Sequence, residues 1–163
     1  MDWPLRGGVL ECAHMRRGEV KKNTKRGHAS RLRVGIVVAA FHDDITSALQ
    51  KGAEEVLRSW KVAPKHIHVV HVAGSFEVPL ATLRLVKKHK LDAVVALGCI
   101  VKGETKHDEY LARAVTDGLM RVSLDTGVPV GLGVLTVNTL SQAKKRLDYG
   151  AAAARAALRA ALV

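Results

Sequence analysis

At positions 98–110 the chain reads GCIVKGETKHDEY, placing two glycines, a hydroxyl and an imidazole directly after a run of apolar residues. His107 carries the sharpest chemistry. An imidazole titrates near neutral pH and can pass a proton in either direction, although a lone histidine can equally serve structure. Gly103, Glu104 and Thr105 stand just before a helical pattern, and a helix start can offer backbone N–H groups to an anion without any Walker motif. The charge of Glu104 opposes this unless its side chain points outward while its N–H points in. Lys102 and Arg146 are candidate phosphate partners, arginine being the better bidentate one, or else solvated surface charges. Phe41 and Phe76 are the only phenylalanines, and each falls where an apolar run ends. Rings so placed can stack on a flat heterocycle or close the edge of a core. Glu77 follows Phe76 at a helix start, where a carboxylate suits the helix dipole; it can cap that helix or accept hydrogen bonds from sugar-like hydroxyls.

Groups so far apart in sequence must be brought together by a scaffold, and the hydrophobic periodicity predicts one. Residues 34–41, VGIVVAAF, read as a strand buried on both faces, with Asp43 as N-cap of a helix whose apolar positions Ile45, Leu49, Ala53, Val56, Leu57 and Trp60 fall at helical spacing. A second strand is expected over 66–73. A helix over 77–89 follows, with Pro79 in its first turn where a missing N–H costs little. The third strand is expected over 92–97, breaking at Gly98, and the third helix over 107–125, ended by Gly127. The fourth strand spans 128–137, and Thr139 caps a last, alanine-rich helix interrupted near Gly150. Strand–helix alternation repeated four times predicts a parallel sheet with right-handed crossovers and helices on both faces. Ligands of such sheets bind beyond the carboxyl ends of the strands, which puts turns 40–43, 74–77, 98–107 and 136–139 on one rim.

Composition narrows the class. A chain of 163 residues with 48% apolar and 25% charged residues suits one soluble domain with a real core. No apolar run approaches the roughly 20 residues of a membrane helix, and the N-terminus lacks the apolar stretch of a secretory signal. The expectation is a cytoplasmic protein without membrane contact. Cys12 and Cys99 are too far apart in sequence for a zinc motif and read as free thiols. His66, His68 and His71 do not suggest a metal site, because on a strand the third points away from the first two. The GLG at 131–133 is no dinucleotide fingerprint. The net charge is +11, and residues 1–33 hold nine Lys/Arg against three acids, more than half of that surplus. The first 31 residues therefore read as a basic extension, solvated or holding RNA electrostatically, with the folded domain over 32–163. The absence of interleaved aromatic residues weighs against RNA.

Four segments together resemble the 6,7-dimethyl-8-ribityllumazine synthase family: VGIVVAAFHDDIT (34–46), AGSFEVPLA (73–81), ALGCIVKGETKHDEY (96–110) and GLMRVSLDTGVPVGLGVLTVNTLSQA (118–143), followed by Arg146. The resemblance implies a flavodoxin-like αβα sandwich around a four-stranded parallel sheet. It implies condensation of 5-amino-6-(D-ribitylamino)uracil with 3,4-dihydroxy-2-butanone 4-phosphate, losing phosphate and two waters, with no metal or redox cofactor. It further implies pentamers, in some members closed into a hollow icosahedral 60-mer, with active sites between subunits. Carried over by position, Phe41 stacks on the pyrimidinedione, and Ser75, Phe76 and Glu77 hold the ring and ribityl chain. Cys99, Ile100 and Val101 line the ring pocket, Glu104 and Thr105 bind the phosphate, Arg146 pairs with it from the adjacent subunit, and His107 shuttles protons. The chain departs from the family pattern in having Leu132 where a neighbour's aromatic residue is usual, His42 where Asn is common, and no lysine after Lys145. These departures keep open a second reading, a weakly active or inactive flavin-binding or shell-forming protein on the same scaffold.

Overall fold

The computed structural model describes residues 26–163; the basic segment before them, Cys12 included, lies outside the described residues. A short 3-10 turn, Arg26–Arg31, leads into strand β1 (Val34–Ala39), which is followed by α1 (Asp43–Ser59), β2 (Ile67–Val72), α2 (Val78–His89), β3 (Ala93–Val101), α3 (His107–Thr126), β4 (Val130–Val137), α4 (Leu140–Lys144) and α5 (Tyr149–Ala160). The strands form one all-parallel sheet in the order β2-β1-β3-β4, an αβα sandwich of flavodoxin-like type.

Alternation along the central strands divides the core into two layers. Val34, Ile36 and Val38 of β1 and Val95, Leu97 and Cys99 of β3 pack with Ile45, Leu49 and Leu57 of α1 and Ala154 and Leu158 of α5. Val37 and Ala39 of β1 and Val94 and Ala96 of β3 pack instead with Val78 and Leu85 of α2 and Val115 and Leu119 of α3. Both central strands are therefore almost continuously apolar, as a sheet covered on both faces requires.

Several boundaries differ from those expected, each for a local reason. β3 does not break at Gly98 but pairs in register with β4 as far as Val101. Gly98 is needed inside the strand because a Cβ there would lie 2.8 Å from Ser75 Oγ. Asp43 is the first residue of α1 rather than its cap. The cap is His42, in the left-handed region at φ 61°, and its side chain makes no capping hydrogen bond. His66 belongs to a 3-10 turn, Pro64–His66, so β2 starts one residue later. β4 starts at Val130, after Pro129. The last helix is interrupted at residues 145–148, while Gly150 lies inside α5. Thr139 does cap α4, its Oγ1 accepting from the Gln142 N–H at 3.2 Å, and Gly127 ends α3 at φ 68°. Among the described residues no helix is long and apolar enough to cross a membrane.

Candidate active site

The strand order reverses between β1 and β3, and such a switch point leaves a crevice beyond their carboxyl ends. A cavity of about 350 Å³ lies there, lined by Phe41 and His42 after β1, Gly74, Ser75 and Phe76 after β2, Cys99, Ile100 and Val101 at the end of β3, and His107, Asp108 and Leu111 on α3. Seven predicted site residues thus meet in one place: Phe41, Ser75, Phe76, Cys99, Ile100, Val101 and His107. The volume lies in the range of small-molecule sites.

Each wall has a physical cause. The continuation of β3 past Gly98 delivers Cys99, Ile100 and Val101 to the rim. Ser75 is buried, seated against Gly98 in the space that a side chain there would fill. Phe41 and Phe76 are 66% and 67% exposed, so neither closes the core; both present ring surface at the cavity. Two rings open to solvent beside a few polar groups suit a flat heterocycle, which gains by covering them. The Cys99 thiol is shifted above its ordinary 9.0, first by burial and then by the Asp44 carboxylate, so it stays protonated and is no nucleophile near neutrality.

The start of α3 supplies the anion chemistry. Thr105 Oγ1 accepts from the His107 N–H at 3.3 Å, and Asp108 Oδ1 accepts from the Gly103 N–H at 3.2 Å. The N–H groups of Glu104, Thr105 and Lys106 donate to no other described residue, leaving donors at the positive end of a 20-residue helix. Glu104, Asp108 and Glu109 oppose an anion there, so a phosphate would need a cation as well.

The remaining predicted residues lie off the cavity wall. Glu77 is exposed and its Oε2 accepts from the Gly74 N–H at 2.9 Å, bracing the turn that carries Ser75 and Phe76; it borders another groove, with Leu80, Arg84 and Lys88. Arg146 sits between α4 and α5, with Nη1 donating to the Gln142 carbonyl at 3.0 Å. Leu132 is half-exposed at the middle of β4, on the sheet edge and outside this chain's own cavity. No group of three or more metal-ligating side chains occurs among the described residues. His68 stacks on His89 at 4.0 Å between ring centroids, and its pKa is depressed by burial and then by His89, His66 and Arg33.

Asp108 and Leu111 also line the cavity, with no role assigned to either from the sequence, and so does His42, which the sequence marks only as a departure from the family's usual Asn. Leu111 was accessible to reasoning, because it stands four residues after His107 on one helix face. His42 lies in the 40–43 turn that the sequence places on the rim, while its left-handed backbone, φ 61°, has no sequence signal.

Residues 31–163 match the sequence pattern of the family described as 6,7-dimethyl-8-ribityllumazine synthase. Two curated relatives bear that name. The one from Porphyromonas gingivalis is 44% identical over 115 residues, 71% of each chain. The one from Albidiferax ferrireducens is 40% identical over 142 residues, covering 86% of this chain and 90% of the relative.

Proposed function

The chain belongs to the 6,7-dimethyl-8-ribityllumazine synthase family, transferases of riboflavin biosynthesis, and from that premise we propose that it condenses 5-amino-6-(D-ribitylamino)uracil with 3,4-dihydroxy-2-butanone 4-phosphate. The observation that carries this reading is the convergence of two exposed phenylalanines, Ser75, three consecutive β3 residues and His107 on one cavity at the switch point. The pyrimidinedione stacks on Phe41 and sits against Ser75, Phe76 and the Cys99-Ile100-Val101 backbone, while Glu77 accepts from the ribityl hydroxyls. Glu104 and Thr105 hold the phosphate through the free N–H groups before α3, and Arg146 reaches it from a neighbouring subunit, as does Leu132 for the ring. The catalytic unit is then a homo-oligomer, a pentamer or a 60-mer built from pentamers, working in the cytoplasm on small molecules. The folded unit is the segment from residue 32 onward, preceded by the Arg26–Arg31 turn, whose Ala29 is buried in the core.

The reaction needs two reactants held together and protons moved during imine formation, phosphate loss and ring closure. Proximity can supply several kcal/mol, of order 7–11 at best. His107, at the mouth of the cavity beside the anion-binding helix start, gives and takes the protons. No strong nucleophile is required.

Turnover tests the reading directly. The purified protein is mixed with both substrates and the lumazine followed by absorbance and fluorescence. Product should form well above the spontaneous rate, and His107→Ala should lower kcat by roughly 10²-fold, the low end of the range for general acid–base catalysis, because positioning survives. A rate equal to background with firm flavin or lumazine binding would favour the shell or binding protein instead, with Leu132 and the missing lysine as the first suspects.

A further inference from the structure

Resting on the synthase reading above, we propose that His42 is a positioning residue of the heterocycle subsite. Its imidazole is held edge-on against Phe41 and so sets the plane on which the flat substrate stacks. The backbone supplies the first argument. His42 lies at φ 61°, ψ 54°, a region that non-glycine residues enter rarely and that costs free energy unless the surroundings hold it. They do hold it here: its carbonyl accepts from the Ile45 N–H at 2.9 Å and the Thr46 N–H at 3.0 Å, with Thr46 Oγ1 at 3.4 Å, and Thr46 is fully buried.

The second argument is what the ring does. A helix cap ordinarily lends its side chain to the first free N–H groups, but His42 does not. The contact its ring makes is with Phe41, centroids 4.8 Å apart and planes at 76°, the edge-to-face geometry that aromatic pairs favour. Both residues line the same cavity. Phe41 is otherwise two-thirds exposed and would lose rotamer freedom when a ligand stacks on it. A ring already held in place reduces that cost, which is how preorganisation raises affinity.

The test uses His42→Gly and His42→Asn, because both residues tolerate the left-handed backbone whereas alanine would add strain of its own. KM for each substrate, kcat, and fluorescence-detected binding of the lumazine product are measured, with each variant also made in a Phe41→Ala background. Both variants should raise KM for the aminouracil and weaken product binding by roughly 3- to 10-fold, the worth of one edge-to-face contact. KM for the butanone phosphate and kcat should stay within about twofold, since the contact acts on one subsite in ground and transition states alike. In the Phe41→Ala background the His42 effect should vanish. Unchanged aminouracil KM, equal losses for both substrates, or an effect undiminished without Phe41 would overturn the proposal. Wild type that binds lumazine without turnover would sink the synthase reading alone, and the binding arm would still read His42. Wild type that does neither overturns both.

Discussion

Cys99 illustrates how burial governs chemistry at a single residue. It stands on the cavity wall yet is only 3% exposed, and both burial and Asp44 push its pKa upward. In a Cys12→Ser protein, where Cys99 is the sole thiol, iodoacetamide labelling at pH 7.5 should be at least roughly 10-fold slower than for the same protein in denaturant, since the thiolate is the reactive form. The pH dependence has a definite sign. Because the folded state holds the thiol proton more tightly than the unfolded chain, the linked stability is present below pH 9 and declines as pH climbs through the raised folded value. Labelling at the free-thiol rate at pH 7.5 in a fully folded sample would contradict this account.

At the scale of elements, a glycine in this chain can mark a turn or a close packing contact inside a helix or strand. Gly98 and Gly150 both read in sequence as punctuation, yet both lie inside regular elements where another part of the chain comes close. A Cβ on Gly150 would fall 2.0 Å from the Leu49 carbonyl oxygen, and one on Gly131 2.2 Å from that of Ala153; these contacts let α5 settle against α1 and β4. Gly150→Ala therefore sets two effects against each other. Better helix propensity favours alanine by about 1 kcal/mol, while forcing two helices apart at backbone atoms costs about 3 kcal/mol or more. The clash should win, with a net loss of about 2 kcal/mol in urea denaturation and an unchanged slope; a stabilised variant would mean that α5 sits further from α1. The same contrast explains what the sequence disclosed. Apolar periodicity located all four strands and the main helices, and strand–helix alternation put turns 40–43, 74–77 and 98–107 at the end of the sheet where the cavity lies, because these signals are local. The extent of β3 and the packing glycines depend on residues far away in sequence, and no local pattern carries them.

The whole molecule poses the question of completeness. One chain gathers Phe41, Phe76 and His107 on its cavity but leaves Arg146 bonded to the Gln142 carbonyl of α4 and Leu132 on the outer sheet edge. Met120 and Leu124 on α3, 61% and 75% exposed, add apolar surface of the kind that associating chains cover. If the site forms between subunits, lesions in its two halves should complement. His107→Ala and Arg146→Glu proteins, each nearly inactive at low butanone phosphate, are unfolded together in equal amounts and refolded as mixed rings. In a ring with head-to-tail contacts, about one interface in four then pairs an intact His107 with a neighbour's intact Arg146. Activity should recover to about a quarter of the wild-type value, and the mixture should sediment as the wild-type oligomer. If His107 and Arg146 instead served a site within one chain, every site would carry one lesion at any mixing ratio. Mixed oligomers without recovered activity would therefore put His107 and Arg146 in a site within one chain and overturn the shared-site reading.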